Sequence, residues 1–143
     1  MGCSTENEGL EERISWVRRR DRRFARNAYY FVLDSLDYTI VKLGREDKDG
    51  EERHVGGREL LEGIKELAAE QFGPMAPEVF RQWGVRNTDD FGEIVFNMIE
   101  SGLLSRRPED SRLDFCDGYD FRRVFEEKFR ERLYDISRQG CQS

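Results

Sequence analysis

Apolar residues return every three or four positions along most of this chain, a period that predicts helices rather than strands. Leu10, Ile14 and Val17 predict a short helix over 10–20. Ala25, Tyr29, Val32, Leu36, Ile40 and Leu43 predict a longer one over 22–43, with Asp21 as its cap and Gly44 as its stop. Phe24, Ala28 and Phe31 widen that stripe, so this helix is expected to be buried on more than one side. Leu60, Leu61, Ile64, Leu67 and Ala68 predict a helix over 58–72, ended by Gly73-Pro74. Pro77 opens a short helix that closes near Trp83-Gly84.

Thr88 is the expected N-cap of a helix over 88–102, whose apolar face is Phe91, Ile94, Val95, Met98 and Ile99. Val124, Phe125, Phe129 and Leu133 mark a final amphipathic helix over 121–136. Short strands are predicted at 53–55, 103–105 and 112–115, the last two joined as a hairpin across the polar turn 106–111. Residues 1–9 and 138–143 are polar and expected to be disordered, leaving a single globular domain over 10–137. The fold class is therefore α+β, mostly α. The order strand, helix, helix, helix, hairpin over 53–115 suggests a winged-helix-like core with a small antiparallel β-hairpin.

Composition supports a folded chain. Its 143 residues suffice for one core, and ten Phe, five Tyr and two Trp supply packing area despite 38% charged residues. No apolar run approaches the roughly 20 residues a bilayer crossing needs. The opening Met1-Gly2-Cys3 suggests an acylation motif, but Glu6 stands where that motif wants Ser or Thr. A cytoplasmic chain with no membrane partner is expected. Cys3, Cys116 and Cys141 form no C-x-x-C pair, so neither a disulfide framework nor a zinc site is indicated.

Charge is unevenly placed. The net charge is −6, yet residues 11–26 hold seven arginines against Glu11, Glu12 and Asp21. On a continuous helix Arg19, Arg22, Arg23 and Arg26 would share one face, a guanidinium row suited to anions or nucleic acid. The plainer reading is a solvated face. The helix over 88–102 carries Asp89, Asp90, Glu93 and Glu100 and no Lys or Arg, which would repel phosphates. Ordinary groove reading by that helix is not expected.

Candidate chemistry is sparse. His54 is the only histidine, and no Ser or Cys partner is identifiable beside it. The acidic turn 114–120 lacks the calcium-hand pattern, and Gly56-Gly57 lacks the Gly-Lys-Ser/Thr finish of a phosphate loop. No catalytic residue, metal ligand or cofactor is proposed on this basis.

Several segments taken together are more specific. Arg20-Asp21-Arg22-Arg23-Phe24, Ala28-Tyr29-Tyr30-Phe31-Val32, His54-Val55-Gly56-Gly57-Arg58-Glu59, Gln71-Phe72-Gly73-Pro74-Met75, Trp83-Gly84-Val85 and Thr88-Asp89-Asp90-Phe91-Gly92 stand in this order. As a set, over about residues 14–130, they resemble an uncharacterised bacterial family named after a hypothetical protein of Methylacidiphilum infernorum. That resemblance implies no activity, ligand or catalytic residue. It does single out His54, Gly56, Gly57 and Arg58 as candidate partner-binding positions, with tight turns as the plainer account of the glycines.

These features favour a non-catalytic protein–protein interaction module with an unidentified protein partner. One alternative is a nucleic-acid-associated regulator using the Arg18–Arg26 face. Another is an enzyme whose site is not recognisable from sequence.

Overall fold

The computed structural model describes residues 1–3 and 9–140, and it is mostly helical. The helices are α1 (Leu10–Arg20), α2 (Arg26–Lys42), α3 (Gly57–Phe72), α4 (Ala76–Gln82), α5 (Thr88–Glu100) and α6 (Phe121–Gly140). Two-residue strands, β1 (Gly2–Cys3) and β2 (Leu104–Ser105), pair antiparallel.

The centre of the fold is the packing of α2 on α3. Gly63 permits their close approach: a Cβ there would sit 1.8 Å from Thr39 Oγ1. The two buried hydroxyls on the α2 side are satisfied within their own helix. Thr39 Oγ1 donates to the Ser35 carbonyl and Ser35 Oγ to the Phe31 carbonyl, each at 2.7 Å. Beside this seam Phe80 of α4 is the hub of an aromatic cluster. Its ring lies 5.8 Å from Phe31, 5.1 Å from Phe91, 5.0 Å from Phe121 and 5.7 Å from Phe125. The first turn of α6 is thereby fastened to α4 and α5 through aromatic edges.

Several boundaries differ from the sequence reading, each for a local reason. Asp21 does not cap α2. Its N–H closes α1 on the Val17 carbonyl at 2.8 Å, and its carboxylate accepts the Arg23 backbone N–H at 3.1 Å, so α2 starts five residues later. Asn87, not Thr88, caps α5, accepting the Asp90 N–H at 3.1 Å. At 53–55 there is a 3-10 turn over Gly50–Arg53 followed by extended chain, rather than a strand.

The expected hairpin does not form. Residues Arg112–Phe115 make a 3-10 turn, because Ser111 and Asp114 cap each other: Ser111 Oγ accepts the Leu113 N–H at 3.1 Å and Asp114 Oδ2 accepts the Ser111 N–H at 3.2 Å. β2 pairs instead with β1, Gly2 opposite Ser105 and Cys3 opposite Leu104.

The expected disorder of 1–9 is likewise corrected at its start, where Met1 is only 2% exposed and belongs to the core. At the other end α6 runs on to Gly140, four residues past the predicted limit at 136. Residues 4–8 and 141–143, including Cys141, lie outside the described part. No described helix is long and apolar enough to cross a membrane.

Candidate functional site

The four arginines do not form one row. Arg19 lies in the last turn of α1, Arg22 and Arg23 occupy the link, and Arg26 opens α2. Arg23 forks onto Asp21, with Nη2 at 2.7 Å from Oδ2, and reaches Glu93 at 3.4 Å. Arg26 donates to Ser15 Oγ at 3.1 Å, and Arg18 to the Phe24 carbonyl at 3.3 Å. The corner therefore uses most of its guanidinium groups to hold α1, α2 and α5 together. Arg19 and Arg22 remain exposed, without a partner among the described residues.

His54, Gly56, Gly57 and Arg58 do come together, on one wall of an open cleft of about 460 Å³. Sequence reasoning missed other charged groups that line it, among them Arg45, Arg107 and Asp110. His54 Nε2 lies 3.2 Å from Asp110 Oδ1, and the Met1 amine lies 2.6 Å from His54 Nδ1 and 2.7 Å from the Val55 carbonyl. Burial, followed by the neighbouring amine, lowers the His54 pKa against the opposing pull of Asp110. The amine also lies 2.8 Å from His54 Nε2, so it sits against the edge of the ring between both nitrogens. The amine is lowered to about 6, again chiefly by burial, with Asp110 opposing. Burial raises Asp110, but the Arg107 N–H at 2.8 Å, the amine and His54 outweigh it and hold the carboxyl below its usual range.

The rest of this wall is also internally engaged. Arg45 forks onto Glu59 at 3.2 and 3.1 Å and donates to the His54 carbonyl at 2.7 Å. Glu59 accepts the Gly56 N–H at 3.0 Å, which caps α3. Gly57 accommodates a close approach, but by this chain itself. A Cβ there would lie 2.7 Å from Asp114 Cβ and 3.0 Å from Phe115 Cε2. This glycine thus seats the 3-10 turn after Ser111. Arg58 is exposed at the cleft edge. The cleft's chemistry is that of a polar knot fastening Met1, α3 and the 107–114 segment. Among the described residues no group of three or more His, Cys, Asp or Glu is arranged to hold a metal ion.

The surface that the sequence reading placed inward is α6. Phe125 is buried, yet beyond it Phe129 is 39% exposed, Leu133 49%, Tyr134 64% and Ile136 57%. The helix has outrun the body it packs on. Its apolar stripe and the end of α3 form the sides of a groove of about 630 Å³, with Tyr38 and Ala69 on the far wall. Glu66 sits on that wall, held by Lys42 and by the Tyr38 hydroxyl at 3.3 Å, and Glu70 lies one turn on. Lys128, Arg132 and Asp135 line the α6 side, and none of them has an ion pair among the described residues.

None of the family models, curated proteins or solved structures compared with this chain matches it.

Proposed function

We propose that this chain is a non-catalytic protein–protein interaction module whose contact surface is the groove between α6 and α3, filled by an amphipathic helix. The observation that carries this reading is the run Phe129, Leu133 and Ile136, exposed in sequence on a helix whose preceding apolar residue, Phe125, is buried. Spacings of four and three residues put them on one stripe, the anchor pattern of helix-in-groove recognition. Contiguous exposed apolar area of this kind costs solubility unless something covers it. Without the strand at 53–55 and the hairpin, the winged-helix-like core expected over 53–115 carries no weight here, and the groove lies away from the acidic α5.

The test is site-specific photo-crosslinking in cells expressing the full chain. A photo-reactive residue at Phe129 is expected to give a discrete intermolecular adduct that Ile136→Asp removes, whereas one at Arg86 gives none. The triple variant Phe129→Ser/Leu133→Ser/Ile136→Ser is expected to keep its helical circular-dichroism spectrum. Absence of an adduct at Phe129, or collapse of the triple variant, overturns the reading by making the stripe part of this chain's own core.

A further inference from the structure

We infer that α6 beyond Phe129 is a binding-coupled switch: in the unoccupied chain it exchanges between helix and coil, and filling of the groove fixes it as helix. The inference rests on the groove being an interaction surface and states how that surface is regulated.

The two halves of α6 are held by different forces. Phe121 is 7% exposed and Phe125 1%, and both rings lie against Phe80, so the first turns are fastened to the core. From Phe129 to Gln139 every residue is exposed. Opposite charges stand three or four apart at Glu126 and Arg130, Glu127 and Arg130, Lys128 and Glu131, Arg132 and Asp135, and Asp135 and Arg138. None of these forms an ion pair among the described residues, in contrast to Arg123 and Glu127 at 3.4 Å in the anchored half. Like charges stand four apart at Glu127 and Glu131, Lys128 and Arg132, and Glu131 and Asp135, and each such pair opposes the helix slightly. Among the described residues beyond Phe129, the one polar or ring contact between side chains sets Arg138 over the Tyr134 ring at 5.9 Å.

Helix past Phe129 is therefore propagation alone. The anchored turns supply the nucleus, and each further residue gains one backbone hydrogen bond against the entropy of fixing it, a near balance in water. After Leu133 the sequence adds little bias toward helix. Tyr134, Asp135, Ile136 and Ser137 are middling helix formers in a row, and Gly140 is a poor one. Helix ends of this kind open at a free-energy cost near zero.

Occupancy changes the balance because only the helix presents the surface. Leu133 and Ile136 join Phe129 on one stripe only while that backbone is helical. A partner seated on the stripe binds the helical state and not the coil, so it draws the equilibrium toward helix. Its apparent affinity is then the intrinsic one scaled by the helical fraction. Substitutions that alter helicity without touching the groove therefore set the affinity. Ser137 is such a position, since it does not line the groove.

Hydrogen exchange read by mass spectrometry tests this, on the purified full chain and on the photo-adduct formed at Phe129. In the unoccupied chain the amides of 125–129 are expected to be protected about 100-fold or more, and those of 134–139 less than about 10-fold. In the adduct, 134–139 should gain protection by about 10-fold or more. Ser137→Ala should raise the adduct yield by up to about twofold under equal illumination. Ser137→Pro should cut that yield by about 10-fold or more while leaving 125–129 as protected as before. Protection above about 100-fold at 134–139 in the unoccupied chain overturns the switch, as does an adduct in which those amides stay unprotected. Equal yields from all three chains would overturn it as well. A missing adduct at Phe129 removes the interaction reading itself, whereas a normal adduct on a preformed helix removes only the switch.

Discussion

Thr88 Oγ1 donates a 2.7 Å hydrogen bond to the Phe115 carbonyl, joining the start of α5 to the turn that packs beneath α3. The same oxygen accepts the Gly118 N–H at 2.9 Å, so one buried hydroxyl satisfies two backbone groups some thirty residues away in sequence. Thr88→Val keeps the shape and strands both. It is expected to cost about 2 kcal/mol in urea unfolding, within the range for unpaired buried groups. Thr88→Ser should recover most of that, and an equal loss in both variants would show that the methyl group, not the hydroxyl, matters.

Gly84 and Gly44 both have positive φ, 88° and 69°, but their surroundings differ. A Cβ at Gly84 would lie 2.1 Å from the Arg23 carbonyl oxygen, whereas one at Gly44 meets nothing within 4 Å. Gly44→Ala is expected to cost only the left-handed penalty of about 1–2 kcal/mol. Gly84→Ala must also push the α1–α2 corner off the Trp83-Gly84 turn, and should be clearly the worse of the two by thermal melting. Equal costs would place the strain in the backbone alone.

Phe80 and Phe129 bracket the edge of the core. Phe80→Ala should cost about 3–5 kcal/mol, because it opens a cavity among five aromatic neighbours. Phe129→Ala should stay within about 0.5 kcal/mol when measured at submicromolar chain, where association adds little to stability. A large loss at Phe129 under those conditions would mean that α6 folds back on its own groove.

Acid should destabilise the fold in two steps. Burial lowers His54 and the Met1 amine, so the unfolded chain binds protons that the folded chain refuses, and stability falls as pH drops. For the amine, whose ordinary value is 8.0 and whose folded value is about 6, this window runs between those two values. For His54 it begins near the ordinary 6.5 and extends below it. The second step belongs to Asp21, held far below the usual carboxylate range by the Arg23 side chain and, with burial opposing, by Asn97 at 3.0 Å. Its contribution is complete above its ordinary 3.8 and is lost as pH falls below that. Arg23 is largely exposed, so solvent screening limits this contribution to about 1 kcal/mol. His54→Gln should flatten the slope just below pH 6.5, and Asp21→Asn should cost stability at pH 7 and keep most of that cost at pH 3, because the folded carboxyl still holds its charge there. A slope unchanged by His54→Gln would remove the imidazole from the account.

The helices were legible because their cores repeat at helical spacing, and the six that form stand close to the predicted ones. What failed was decided by single side chains competing for backbone groups. Ser111 and Asp114 are a capping pair in plain sight, yet the alternating Leu113 and Phe115 read as a strand. Asp21 fits a cap by position, but Arg23 and Asn97 hold it elsewhere. The end of α6 misled for a different reason. Periodicity reports that a face is apolar and does not say what covers it, so Phe129 and Leu133 read as core alongside Phe125. The cleft was half legible: His54 and the glycines drew notice, while Asp110 and Met1 gave no local signal, since their meeting depends on contacts more than fifty residues apart.

The pairing of β1 with β2 bears on the order in which the molecule is built. Gly2 faces Ser105 and the Met1 amine rests on Val55 and His54 beside Asp110, so residues 1–3 are seated by segments more than fifty residues further along the chain. On the ribosome α1, α2 and α3 can associate through local contacts while the seat for Met1 does not yet exist. Closing a loop of that length costs entropy that two ladder positions, the buried Met1 side chain and the hydrogen bonds of its amine and carbonyl offset. The start of the chain therefore joins last in folding and leaves first in unfolding, and mutations there should alter the unfolding rate while leaving the folding rate almost unchanged.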